Sequence, residues 1–209
     1  MTMKITEIKM TKKGRYALFC GEEFLFSVDE STYADFGIHK GVELSDADLA
    51  ELRKNSEYRK ALNKAFTYLG IRDHSEHELF TKLQKTFDDE TAAQAVARVR
   101  ELGYLDDGQF ARRYAEELLG KGKSLGEIRR RLSDKRIARD IIDEVLGGIQ
   151  TDERQLIAEL IAGKYAGKLS SENGRRKVYA ALLRRGFKSA DITAALNGSE
   201  VDGIEYTED

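Results

Sequence analysis

Proline is absent from the 209 residues, where ordinary usage near ~5% would supply roughly ten. A proline ring clashes with the preceding helical turn and brings no N–H, so its absence suits a chain made chiefly of helices. Cysteine occurs once, at Cys20, which excludes an internal disulfide or a cysteine-cluster metal site and fits a reducing cytosol. Nowhere do about 18 apolar residues stand together, and the first residues lack a signal-type apolar run. The expectation is a cytoplasmic protein with no membrane partner.

Charge and apolar content are both present in quantity. Charged residues make up 34% and hydrophobic residues 41%, enough for a core despite the high charge. The net charge of −2 hides an uneven distribution. Residues 164–188 hold eight Lys or Arg against one acid, Glu172, whereas residues 199–209 hold five acids and no base.

The first part of the chain has β character. Ile5, Ile8 and Met10, then Tyr16, Leu18 and Cys20, then Phe24, Phe26 and Val28 alternate with other residues across Gly-containing turns, predicting three short strands. A three-stranded meander is marginal alone and should lean on a helix. Ser31 is placed to cap a short helix ending at Gly37, and Ser45 to start another through Leu49 and Leu52. After Asn55 and Ser56 the helical pattern resumes with Leu62, Ala65, Phe66 and Leu69, and ends at Gly70.

From there to Leu196 the sequence repeats itself. Ser75 with Glu78, Leu79 and Leu83 returns as Ser124 with Glu127, Ile128 and Leu132, and again as Gly174 with Val178 and Leu182. In the first two copies Ser and Glu stand three apart, the capping-box spacing that starts a helix. The third carries Gly174 and Lys177 instead, after a longer turn over 167–173. Beyond each of these helices stands one apolar residue, Phe87, Ile137 or Phe187, and then a third helix with Ala92 and Val96, Ile142 and Leu146, or Ile192 and Leu196. Leu62 to Leu69, Phe110 to Leu118 and Leu156 to Tyr165 supply the first helices. The expected fold is mainly α: tandem three-helix repeats in an elongated array, with a small N-terminal β-strand region. The expected boundaries are 1–58 for the strand region and its linking helix, 59–105, 106–149 and 150–198 for the repeats, and 199–209 for an acidic disordered tail. That tail has a second reading, as a cover for the basic last repeat.

The run Arg72-Asp73-His74-Ser75-Glu76-His77-Glu78-Leu79, then Leu102-Gly103-Tyr104-Leu105-Asp106-Asp107 and Phe110-Ala111-Arg112-Arg113-Tyr114, resembles the signature of the RecX family, regulatory proteins that bind the RecA recombinase. Ser124 to Ile137 resembles the family's second repeat, and the likeness covers about Ala61 to Leu196. One departure is local: Asp134-Lys135-Arg136-Ile137 lacks the Gly that many members carry just before the apolar residue. The resemblance implies a non-enzymatic monomeric regulator without cofactors. It would bind the RecA filament on single-stranded DNA, touching the DNA directly or through the filament, and restrain strand exchange, ATP hydrolysis and coprotease activity.

Candidate contacts with phosphates or acidic protein surface are the basic residues. In the middle repeat these are Arg112, Arg113, Lys121, Lys123, Arg129, Arg130, Arg131, Lys135 and Arg136, with Arg139 beside them; in the last they are Arg175, Arg176, Lys177, Arg184, Arg185 and Lys188, with Lys164 and Lys168. The plainer reading of each run is a solvated helix face with intrahelical ion pairs. Seven acids temper the middle cluster and one the last, so the last repeat should carry most of the attraction. An alternative is a stand-alone DNA binder, using the second and third helices of each repeat and turns such as Arg185-Gly186-Phe187 as helix-turn-helix modules.

Other patterns point to structure. Lys121-Gly122-Lys123-Ser124 lacks the upstream glycine and strand of a phosphate loop, although the N–H groups beyond it could hold an anion. His74, His77 and Glu78 want further ligands for a metal, and the capping box accounts for Glu78. Tyr104, Tyr114, Phe110, Phe87 and Phe187 fall at core positions. Asp106 and Asp107 suit a helix start, and no nucleophile with a paired base is evident.

Overall fold

The computed structural model describes residues 2–198; the acidic segment 199–209 lies outside the described residues. The chain divides after Asp106 into two compact units.

In the first unit, strands β2 (Glu7–Met10), β3 (Tyr16–Cys20) and β4 (Glu23–Val28) form an antiparallel meander, with Leu18 opposite both Ile8 and Phe26. A second, unexpected pair joins β1 (Thr2–Lys4) to β5 (Glu43–Ser45). These strands are three residues each and span a gap of nearly forty, so no local alternation announces them. Ile5, Leu18, Phe26, Val28, Ile38, Leu44 and Leu52 make the core beneath.

Helix α1 (Glu30–Asp35) is capped by Asp29 rather than Ser31: the Asp29 carboxylate accepts the Thr32 N–H, and Ser31 donates its own hydroxyl to Asp29. Helix α2 (Asp46–Leu69) runs unbroken through Asn55 and Ser56, where the sequence suggests a stop. Tertiary partners override the local preference. Ser56 is buried, donates to the Ser27 carbonyl at 2.6 Å and accepts from the Arg15 guanidinium at 2.8 Å. The sheet thereby leans on the helix through satisfied polar contacts as well as apolar ones.

The later half of α2 joins α3 (Glu76–Leu83) and α4 (Asp89–Glu101) around Ala61, Ala65, Leu79, Leu83, Ala92 and Val99. The Ser75 capping box is complete in both directions, with Glu78 reaching back to the Ser75 N–H. Tyr104 departs from its expected core position: it is 63% exposed and sets its ring edge-on to Phe66 at 5.2 Å.

The second unit contains two further three-helix repeats. Helices α5 (Asp107–Gly120), α6 (Leu125–Asp134) and α7 (Arg139–Gly147) enclose Phe110, Leu118, Ile128, Leu132, Ile137 and Ile142. Helices α8 (Glu153–Ala162), α9 (Glu172–Leu183) and α10 (Ser189–Gly198) enclose Ile157, Ile161, Tyr165, Val178, Leu182 and Phe187. Leu79, Ile128 and Val178, equivalent by sequence offset, are all sealed from solvent, as are Leu83, Leu132 and Leu182. Each such side chain contributes roughly 1.5–3 kcal/mol on burial, which is what repeats the helix pattern.

The third repeat starts its middle helix three residues before Gly174. Ser171 is the cap, accepting the Gly174 N–H at 3.0 Å, and a short 3-10 turn (Ala166–Lys168) precedes it. Gly174 is required there, because a Cβ would sit 1.8 Å from the Lys168 carbonyl oxygen.

Candidate interaction surface

In the middle repeat, the arginines spread over α6 meet carboxylates on nearly every side. Glu127 accepts from Arg130 at 2.9 Å and from Arg131 at 2.7 Å; Arg130 also reaches Asp134 at 2.8 Å. Hydrogen bonds from Arg130 and then Arg131 lower the Glu127 carboxyl to a pKa of about 2. Arg129 pairs with Asp143, which Arg139 also approaches at 3.7 Å, and Arg112 lies 3.7 Å from Glu144. Lys121 pairs with Glu117. The Lys135 ammonium stands 4.9 Å from the centre of the Tyr114 ring and 5.5 Å from that of Phe110. Much of the cationic face of this repeat is thus engaged with its own acids and rings. Exposed pairs of this kind are weak and exchangeable, but they cancel the field a partner feels at a distance.

Arg136 is exposed and takes a left-handed backbone, φ +60°. It occupies the place that Gly186 holds in the third repeat at φ +92°. The turn geometry therefore survives the missing glycine at the expense of local backbone strain.

The third repeat divides its cations between structure and surface. Arg175 donates to the Leu196 carbonyl at 2.8 Å, and Arg176 pairs with Glu172 at 2.7 Å. Arg185 turns back to the middle repeat, donating to the carbonyls of Lys121 and Gly122 and to the Tyr165 hydroxyl. Lys123 reaches the Arg184 carbonyl at 3.4 Å, and Lys168 lies over the Tyr165 ring at 6.0 Å. Lys164, Lys177, Arg184 and Lys188 are exposed, and no carboxylate among the described residues pairs with them. Arg113 is exposed on α5.

The α6 start departs from expectation. Ser124 accepts the Glu127 N–H at 3.1 Å, but its own N–H goes to the Arg185 carbonyl at 3.0 Å, and Glu127 turns to the arginines instead. The Leu125 N–H is taken by the Glu153 carboxylate at 2.7 Å. An N–H at this helix start thus receives an internal anion in place of a ligand. Sequence reasoning missed both Glu153 and the inward role of Arg185, because each contact joins residues 28 or more positions apart.

His74 is 2% exposed, and its Nδ1 lies 2.9 Å from the Arg72 carbonyl. Burial lowers its pKa from the ordinary 6.5. Among the described residues no group of three or more His, Cys, Asp and Glu is gathered as a metal would need. No helix of the described residues is long and apolar enough to cross a membrane.

Among the described residues Lys164 just past α8, Lys177 on α9, and Arg184 and Lys188 just past α9 form an outward basic surface without carboxylate partners. Comparison with known proteins adds a family to this geometry. Residues 61–98 match the model described as RecX, first three-helix domain, and residues 106–146 match RecX, second three-helix domain. The chain is similar to the regulatory protein RecX of Lactobacillus gasseri, at 36% identity over 191 residues, covering 88% of this chain and 70% of that one. Similarity to the RecX of Bacillus velezensis is 32% over 213 residues, covering 98% and 80%. A crystal structure of a regulatory protein RecX shares the fold, with a TM-score of 0.69 at 24% identity over 93% of this chain and 98% of that one.

Proposed function

The chain belongs to the RecX family of regulatory proteins, and we propose that it regulates the RecA recombinase by binding the RecA filament on single-stranded DNA. In this reading it restrains the filament's ATPase, strand-exchange and coprotease activities, acts as a monomer, and needs no cofactor or chemistry of its own. The observation that carries the reading is the join between family repeats and charge: the last repeat presents Lys164, Lys177, Arg184 and Lys188 without carboxylate partners among the described residues, while the middle repeat neutralises Arg129, Arg130 and Arg131 internally. A polyanionic filament attracts the first kind of surface far more than the second.

Stand-alone reading of duplex DNA is less well supported. The third helix of a repeat would be the recognition helix, and α10 carries no Lys or Arg over Ser189–Gly198. Cosedimentation decides between them. The protein should pellet with RecA filaments on single strands and bind bare duplex weakly without sequence preference; tight, sequence-specific duplex binding that owes nothing to RecA would reject the regulator.

A further inference from the structure

Two clefts lie side by side in the second unit, and Tyr165, Ala181 and Arg184 belong to both. The first, about 700 Å³, runs between the α5–α6 turn and the α8 and α9 helices; Lys121, Lys123, Lys164 and Arg185 join Arg184 on its walls. The second, about 540 Å³, continues past Arg184 to Lys168 and Lys177. Among the described residues seven cations line the pair, and no aspartate or glutamate lines either cleft. The floor of the first is apolar, formed by the half-buried Leu119, Leu156 and Leu160.

From this arrangement we infer that the paired clefts seat one strand of nucleic acid directly, with phosphates on Lys164, Arg184 and Lys177 and unstacked bases against the leucine floor. The inference rests on the proposed function and deepens it by giving the DNA its own contact on this chain. Three features select such a ligand. The cations continue across two clefts, which suits a polymer of regularly spaced charge better than a single anion. The floor offers apolar surface to bases that a single strand leaves free to turn outward, whereas duplex buries them. Finally, the turn just past α5 borders this cleft, and its bare carbonyls would repel phosphate. Here the Arg185 guanidinium covers those of Lys121 and Gly122, so the wall facing a ligand is cationic.

The test is anisotropy of a fluorescein-labelled oligothymidylate with the full chain, without RecA, across a salt series. Wild type should bind at low salt. K164E/R184E should bind about tenfold or more weakly, with the log–log salt slope reduced by about 1.4, or ~0.7 per lost phosphate contact on a single strand. K12E/K13E makes the same charge change in an exposed turn of the first unit and should stay within about twofold of wild type, since it removes no phosphate contact. Both variants should melt as wild type does. The inference is overturned if wild type does not bind, if the two variants weaken binding equally, if duplex of the same length binds more tightly, or if polyglutamate displaces the oligonucleotide as well as unlabelled oligothymidylate does. The RecA ATPase separates this from the reading beneath it. Oligonucleotide binding with no effect on the ATPase removes the regulator and keeps the clefts; a slowed ATPase without oligonucleotide binding does the reverse.

Discussion

The Arg185 guanidinium donates to the Gly122 carbonyl at 2.8 Å, while two residues from that glycine the Ser124 N–H returns the contact to the Arg185 carbonyl at 3.0 Å. A side chain from the last repeat thus holds the turn after α5, and its backbone takes the N–H of the α6 cap. Arg185 thus joins the middle and last repeats in both directions, beside the Glu153 carboxylate on the Leu125 N–H. Arg185→Ala should lower stability by about 2–3 kcal/mol, since it strips charged hydrogen bonds from carbonyls that have few other partners. Urea denaturation of the full chain measures this. A loss no larger than that of Arg184→Ala next to it would show that the clasp contributes nothing particular.

The turns before Ile137 and Phe187 predict substitutions of opposite sign. At Gly186 a methyl group would meet Ser124 Oγ and Glu127 Cβ, each at 2.5 Å, on a backbone at φ +92°. Gly186→Ala should therefore destabilise by roughly 2 kcal/mol or more. Arg136 already carries a side chain at φ +60°. Arg136→Gly relieves about 1–2 kcal/mol of strain, offset by about 0.4–1 kcal/mol of added freedom in the unfolded chain, and should raise the melting temperature slightly. A lower melting temperature for Arg136→Gly would mean that its side chain holds the turn together.

Glu127 sets an acid limit. Its folded pKa of about 2 lies below the ordinary 4.5, so the unfolded chain binds the proton more readily between those values. The stability it contributes is complete above about pH 4.5 and is lost as pH falls towards 2. Glu127→Gln should be less stable than wild type at neutral pH, and the gap should close across that window. A gap that stays constant on acidification would remove the carboxylate from the account.

His74 behaves in the same direction from a different cause. Burial disfavours its imidazolium, so the folded pKa lies below 6.5 and stability is lost as pH falls through 6.5 towards that lower value. An NMR titration of the His74 ring should give a midpoint below 6.5; a midpoint above it would mean the ring is charged in the fold.

Much of the helical architecture was legible because one period recurs at a fixed offset. Leu79, Ile128 and Val178, and the residues four beyond each, could be placed in cores from spacing alone, since a helix that buries one face must repeat it. The features that escaped all depend on partners distant in sequence. Nothing near Ser56 says that Arg15 and Ser27 satisfy it inside a continuous helix, and nothing near Thr2 says that Ser45 lies opposite. The sequence shows where cations concentrate, but a count of charges cannot tell Lys164, which faces solvent, from Arg185, which is turned inward to backbone carbonyls. Charge balance identifies a region; only geometry sorts its members.

The most direct measurement is the single-strand-dependent ATPase of RecA filaments titrated with this protein. The account predicts a rate that falls at substoichiometric ratios, with K164E/R184E requiring more protein for the same fall. An ATPase unchanged at ratios up to one protein per RecA subunit would contradict it.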